Sequence, residues 1–553
     1  MALDVSSLNH RHAVHRWERV SVGDILERLT WSYPDKEAIV GWQGAYGHPE
    51  HERLTYRMAD ELANRLANGL LAQGLQHGDR VLLFCENSVE AYVAKIGIAK
   101  AGLVCVPVNP TLAGDVVEHL INQARPAFAI VDAELWPRAE KPFRNTGLQP
   151  GITIPIGGNA VGGSVTYAEF CRTQPTTEPE LEIHGDDIWQ ILFTSGTTAL
   201  PKGAMISHHS SYLAAYSFAL TLTRGIRLEC DLKLAAFLPI IYHIADQIFT
   251  FPAFLSGGTL VIGRRPAPHP IAEAISREAV TALWAGAPAM ANALADVLRE
   301  DRLSYDPRSL KVMVYGWAAL PPGTLATFKR LCGDDFTAVE IFGQTEAISC
   351  HRFWPDKWPE TYRRTAPEQN YVGVPGPLLA STVMDELGNK LDDQPGVPGE
   401  AVYRSPAVTA GYYQDEAATE HAFRYGWFHS GDSCVYDEQG LRIMVDRYKD
   451  IVKSGGENVS SIRVEAVLHQ HPAVAKAAVI GLPHERWGEA VTAVVIPHPD
   501  RQASAEELVA FCRERLAGFE TPKTIIFVDE LPETVGGKVL KYKLRQEYRS
   551  AYR

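Results

Sequence analysis

The sequence predicts an α/β protein: a large N-terminal region of packed α/β subdomains followed by a small α+β domain. Three observations carry this. Amphipathic helices alternate with short apolar, β-prone runs through the first part of the chain, the pattern of a parallel sheet covered by helices. A charged segment, Asp446-Arg447-Tyr448-Lys449, separates two apolar runs, and the texture changes after it. Between these, the β-prone run Ile188 to Phe193 empties into a polar ten-residue loop.

Each element follows from spacing. From Thr55 to Gly74, Met58, Leu62, Ala63, Leu66, Ala67, Leu70 and Leu71 recur every three or four residues, which predicts a helix ended by Gly74. Arg80 to Cys85 reads as a buried strand, Ser88 to Ala101 as a helix and Leu103 to Val108 as a second strand, together a βαβ unit. Ala127 to Val131, Leu260 to Ile262, Ala282 to Trp284 and Lys311 to Val314 are further strand candidates. Asp385 to Tyr413, with Gly and Pro at short intervals, predicts β-structure with turns. Beyond the charged segment come a helix (Ile462 to His469), two strands (Ala473 to Ile480, Ala490 to Ile496) and a helix (Ala505 to Leu516). The boundary is therefore set at 447/448, giving domains 1–447 and 448–553.

Composition narrows the function classes. A chain of 553 residues exceeds one ordinary domain. Its 46% hydrophobic and 22% charged content is that of a soluble globular enzyme. A formal net charge of −13 argues against nucleic acid as partner, because phosphate-backbone binding needs a basic face. Eight scattered cysteines without Cys-x-x-Cys spacing indicate a reduced, cytoplasmic protein. The first twenty residues lack the apolar stretch of a signal sequence, and the most apolar segment, Ile248 to Ile262, is too short to span a bilayer.

The loop Thr194-Ser195-Gly196-Thr197-Thr198-Ala199-Leu200-Pro201-Lys202-Gly203 holds four hydroxyls, two glycines and one lysine. Hydroxyls and exposed N–H groups donate to anionic oxygens, glycine admits close approach, and lysine adds a point charge, so this is phosphate-wrapping chemistry. It is not a Walker loop, since no Gly-Lys-Ser/Thr follows an early glycine at the required spacing. A second polar cluster, Glu340-Ile341-Phe342-Gly343-Gln344-Thr345-Glu346, ends a β-prone run, where ligands of open α/β sheets bind. Taken alone, an ordinary turn explains it equally well.

In order along the chain, these motifs resemble the acyl-adenylate-forming superfamily: acyl-CoA synthetases, firefly luciferase and peptide-synthetase adenylation domains. The resemblance covers roughly residues 20 to 545. It implies that Thr194, Ser195, Gly196, Thr197, Thr198 and Lys202 bind the phosphates of ATP, with Ala199 where the family has glycine. It implies that Phe342 stacks on adenine beside Glu340, that Thr345 meets a phosphate, and that Glu346 holds Mg²⁺. Asp432, in Phe428-His429-Ser430-Gly431-Asp432, would accept from the ribose hydroxyls, and Arg447 would contact ribose or phosphate. Lys449 matches the hinge of a mobile C-terminal domain, Gly455 and Gly456 the tunnel for coenzyme A, and Lys538 in Gly536-Gly537-Lys538 the catalytic lysine. Glu533 puts a negative charge where the family usually has a positive one. Gly316-Trp317-Ala318-Ala319 occupies a small-residue loop between adenine and the acyl group, with Gly316 and Ala318 in family-like positions. Pro239-Ile240-Ile241-Tyr242-His243 resembles a Pro-x-x-His element with one extra residue. Here His243 is a gate beside the carboxylate, or else a core or surface histidine with Tyr242 facing the site.

The implied reaction has two halves. A carboxylate attacks the α-phosphorus of ATP, giving acyl-AMP and pyrophosphate; the thiol of coenzyme A then displaces AMP. Carboxylates attack a triphosphate poorly, so positioning and charge neutralisation by Lys538, Mg²⁺ on Glu346 and the hydroxyl loop must supply the rate. Trp317 opposite Ala285, Gly286, Ala287 and Ala289 predicts a site for a compact or polycyclic acid, unless Trp317 turns into the core. The alternatives are a carrier-protein thiol as acceptor, a luciferase-type oxygenase, a peptide-synthetase module without its partner domains, and a ligand-binding homologue that does not turn over.

Overall fold

The computed structural model describes residues 19–194, 201–223, 228–241, 245–447, 450–454, 457–533 and 539–552. Two large sheets face each other across a layer of helices. The first has seven strands, in the order Val165–Thr166, Ile152–Ile154, Phe128–Asp132, Arg80–Phe84, Val104–Pro107, Ile188–Thr194 and Lys202–Ser207. All neighbours are parallel except the last pair, which runs antiparallel on either side of the polar loop. The second sheet has thirteen strands. Its parallel half joins Glu37–Trp42, Thr259–Gly263, Lys233–Ala236, Ala282–Gly286, Val312–Gly316 and Thr337–Gln344. Its other half, from Ala347–Phe353 through Asn370–Pro375, Arg442–Arg447, Phe428–Tyr436 and Gly399–Arg404 to Ala380–Met384, is antiparallel.

The predicted βαβ unit is present. Helix Tyr56–Ala72 starts at Thr55, whose side chain accepts from Met58 N, and helix Val89–Lys100 starts at Ser88, which accepts from Ala91 N. Such caps stabilise a helix by about 1 kcal/mol each. The two helices differ in burial. Tyr56–Ala72 is amphipathic, whereas every residue of Val89–Lys100 is buried, because that helix lies in the layer between the sheets. The central core accordingly joins Val81 and Leu83 of the first sheet to Leu234, Leu260 and Trp284 of the second. Outer helices cover the remaining faces: Pro268–Glu278, Pro288–Glu300 and Pro322–Cys332 on the second sheet, Gly114–Ala124 and Trp136–Thr146 on the first.

The C-terminal unit has its own five-stranded sheet, containing Val452–Ser454, Glu457–Val459, Val474–His484, Gly488–Pro497 and Thr524–Phe527, and its own core. Asp385 to Tyr413 is β-structure with turns, as expected: the strand Gly399–Arg404 and isolated bridges at Lys390, Val408 and Tyr412. Gly431-Asp432 lies within the strand Phe428–Tyr436. Among the described residues, no helix is long and apolar enough to cross a membrane.

Candidate active site

The site forms where strand ends of the two sheets meet. Thr194 is the last residue of Ile188–Thr194, and its hydroxyl lies 3.4 Å from Glu346 Oε1. Glu346 sits in the turn between Thr337–Gln344 and Ala347–Phe353 and is 9% exposed. The hydroxyl of Tyr412 donates to the same carboxylate oxygen at 3.1 Å. Burial, and then the Glu346 charge, raises the Tyr412 phenol far above its usual range, so it remains a donor. The Lys202 ammonium lies 5.2 Å from the centre of the Tyr412 ring. A cation, a carboxylate and two hydroxyls thus converge at the mouth of the polar loop.

Tyr412 is placed by backbone pairing. Ala410 N donates to Met205 O, Met205 N to Gly411 O, and Tyr413 N to Gly203 O, which lays this segment along the strand Lys202–Ser207. Thr409 N donates to Glu346 O at 2.7 Å, joining the segment to the other sheet. Sequence reading passed over Tyr412, because an aromatic pair after a glycine carries no chemical signature of its own.

Asp432 and Arg447 face each other across the antiparallel ladder, with Arg447 Nε 2.8 Å from Asp432 Oδ1. Burial opposes the Arg447 charge, and Asp432 and then Glu346 outweigh it. Gly431 has φ +73°, which favours glycine there. Its N–H donates to Glu400 Oε1 at 2.9 Å, and His429 Nδ1 lies 2.7 Å from Glu400 Oε2, so Glu400 holds the bend from behind. Phe342 is half-buried against the neighbouring core, and Thr345 is half-buried in the turn before Glu346. Glu340 is 2% exposed; burial raises its carboxyl well above the usual range, with Tyr315 and Asn370 beside it. It lies under the site rather than at its surface.

On the other flank, Trp317 is 44% exposed and has φ +70°. Its ring centre is 5.6 Å from that of buried Trp284, and a Cβ on Gly286 would come within 3.3 Å of its indole. Ala285 is 1% exposed and belongs to the core beneath the outer helices, on the opposite face of its strand from Trp284. The strand's alternation therefore offers Trp284 and Gly286 to Trp317, not Ala285. Gly316 lies against Ile341 O, which a Cβ would approach to 2.8 Å, and Ala318 is exposed. Glu533 pairs with Lys476 at 2.8 Å, which satisfies its charge within the C-terminal unit. Ser195, Gly196, Thr197, Thr198, Tyr242, His243, Lys449, Gly455, Gly456 and Lys538 lie outside the described residues.

Residues 26–413 match the AMP-binding enzyme family, and residues 463–538 match the AMP-binding enzyme C-terminal domain. The chain is 30% identical to a long-chain-fatty-acid–CoA ligase of Thermus thermophilus, covering 97% of each chain. It is 32% identical to a feruloyl-CoA synthase of Amycolatopsis sp, covering 90% of this chain and 94% of that one. ATP-bound MatB from Rhodopseudomonas palustris superposes with a TM-score of 0.81 at 28% identity, over 96% of this chain and all of that one. The apo form of MatB, at the same coverage, gives 0.68. The overall arrangement is thus more similar to the ATP-bound form. With both of its domains matched in order, the chain belongs to the AMP-binding enzyme family.

Proposed function

We propose that this chain is an ATP-dependent carboxylic acid–CoA ligase that forms acyl-AMP with release of pyrophosphate and then passes the acyl group to coenzyme A with release of AMP. The observation that carries this reading is the convergence of Thr194, Glu346, Tyr412 and Lys202 beside the Asp432–Arg447 pair. One end offers hydroxyls and a cation to phosphates, and the other a buried carboxylate to ribose hydroxyls.

Glu346 suits Mg²⁺: it is one hard oxygen ligand with hydroxyl neighbours, and Mg²⁺ binds through one or two carboxylates plus substrate phosphates. Bound there with ATP, Mg²⁺ would neutralise charge on the phosphates. Lys538 would place its ammonium on the oxygens that gain charge as the carboxylate attacks, a preorganised donor in a site closed to water. Closing of the C-terminal domain about Lys449 brings that lysine in and shields acyl-AMP from hydrolysis. Gly455 and Gly456 leave room for the pantetheine arm in the second half-reaction. The domains are 1–447 and 448–553. The free cysteines of the described residues fit a cytoplasmic enzyme.

The acid is compact or polycyclic. Trp317 stands half-exposed against Gly286 and Trp284, so an acyl group passing this point would meet an aromatic wall. Mixed-acid competition, read by mass spectrometry of the CoA thioesters, tests this: cyclic acids should outcompete straight chains, and preference for long straight chains would overturn it.

A further inference from the structure

The strands Gly399–Arg404 and Phe428–Tyr436 fall out of step beside the candidate site. Val402 faces His429 and Glu400 faces Ser433, so Ser430, Gly431 and Asp432 lie opposite Ala401 alone. Two of these three are surplus, and the chain bulges there. A bulge leaves backbone N–H groups without ladder partners and re-aims the side chains around it. Here side chains meet those groups. Gly431 N donates to Glu400 Oε1 at 2.9 Å, and Asp432 N donates to Ser430 Oγ at 3.0 Å. The Ser430 hydroxyl donates in turn to Ala401 O at 2.6 Å.

Glu400 is itself braced. Its Oε2 accepts from Arg424 Nη2 at 2.6 Å and lies 2.7 Å from His429 Nδ1. His429 Nε2 lies 3.1 Å from Arg424 O, so the left-handed turn at Tyr425 and Gly426 is fastened at both ends to one carboxylate. Burial opposes the Glu400 charge. The bond to His429, the His429 and Arg424 charges and the Gly431 N–H outweigh it and hold the carboxyl below its usual range. Strands in step would satisfy the same N–H groups through the ladder, so pairing does not require the bulge. What the bulge supplies is aim: Asp432 faces Arg447 on the next strand, with Oδ1 2.8 Å from Nε.

We propose that Glu400 is a positioning residue: braced by His429 and Arg424, it holds the Gly431 bulge that aims Asp432, and so sets how strongly the site prefers a ribonucleotide to one without ribose hydroxyls. This rests on the ligase reading above, in which Asp432 meets those hydroxyls. Glu400 acts through Gly431 and Asp432.

The test is Glu400→Ala in the full chain, read by calorimetry as the Kd of ATP and of dideoxy-ATP, which lacks both ribose hydroxyls. The wild-type chain should bind ATP the more tightly. In the variant, ATP should bind about 10-fold more weakly or worse, the loss expected when a hydrogen bond to a charged group is misplaced. Binding of dideoxy-ATP should change little, so the preference shrinks by the same factor. General damage to the fold would instead weaken both nucleotides together. A folded variant with the wild-type preference would overturn the proposal, whether both affinities fall or neither does. Should Glu400→Ala not fold, Glu400→Asp keeps the charge but withdraws the carboxylate from Gly431 by one methylene. The preference should again shrink, and a wild-type preference would again overturn the proposal. A wild-type chain that binds both nucleotides alike would overturn the ribose contact and this proposal with it. A wild-type chain that prefers ATP but releases no pyrophosphate with any acid would count against the ligase reading alone, and the binding comparison would still decide the part Glu400 plays.

Discussion

Asp432 and Arg447 face each other on adjacent strands of one sheet, and Glu346 is gripped by Thr194 and Tyr412 from two different sheets. On the opposite flank, Trp317 stands half-exposed on a left-handed backbone, and Leu238 to Ile240 is pinned by Asn87 and Lys95 from a helix buried behind it. On the proposed reading, the nucleotide flank consists of side chains that present their own chemistry, and the acid flank of shape held from below by polar groups. Damage to the first should therefore slow the reaction alike for every acid, whereas damage to the second should change which acid reacts.

The largest effect should come from Lys538→Ala. Removing the donor to the developing charge should lower acyl-AMP formation about 10²–10³-fold, equally for all acids. Thioester formation from preformed acyl-AMP should change little, and equal loss in both halves would contradict the assignment. Next is Lys449→Pro. Proline fixes φ near −65°, so the domain should be held in one orientation, with one half-reaction near normal and the other suppressed. Single-turnover assays of each half separate these outcomes, and full activity in both would move the hinge elsewhere.

On the acid flank, Trp317→Gly should favour the longest straight-chain acids relative to cyclic ones. Pocket discrimination of this kind is worth about 1–3 kcal/mol, so the shift should be graded. The variant should not be less stable, because a left-handed backbone costs a non-glycine residue roughly 1–2 kcal/mol that glycine avoids. Unchanged ratios of kcat/KM across acids would show that Trp317 does not set the pocket. Tyr412→Phe removes one hydrogen bond to the Glu346 carboxylate. Hydrogen bonds to charged groups contribute about 1.5–3 kcal/mol, so kcat/KM should fall roughly 10- to 150-fold, by the same factor for every acid. Selectivity that moves with this variant would break the division between the flanks.

The same division explains what could be read in the sequence. Thr194, Lys202, Glu346, Asp432 and Arg447 were singled out by the order of the motifs along the chain and their resemblance to a family, and the fold brings Thr194 to Glu346 and Asp432 to Arg447. Strand and helix spacing likewise located the βαβ unit, since a sheet covered by helices imposes periodicity. The helix Val89–Lys100 was expected over Ser88 to Ala101. The contacts of its lysine were hidden, because Asp246 lies 151 positions away along the chain, and Gln190, which shares Asp246, lies 95 positions away; they meet through the two-sheet stack. Tyr412 was hidden for the same reason: backbone pairing to Lys202–Ser207 places it, and no local pattern announces that pairing. Ala285 shows a different limit. In Ala282–Gly286, one residue decides which face a side chain takes, and Trp284 rather than Ala285 meets Trp317.

The most direct test of the central claim is acid-dependent exchange of labelled pyrophosphate into ATP by the full chain, followed by addition of coenzyme A and mass spectrometry of the products. The account predicts exchange that needs an acid but no coenzyme A, since acyl-AMP forms first, and an acyl-CoA thioester with AMP only once coenzyme A is present. Release of ADP and phosphate, or thioester formation without any pyrophosphate exchange, would contradict it.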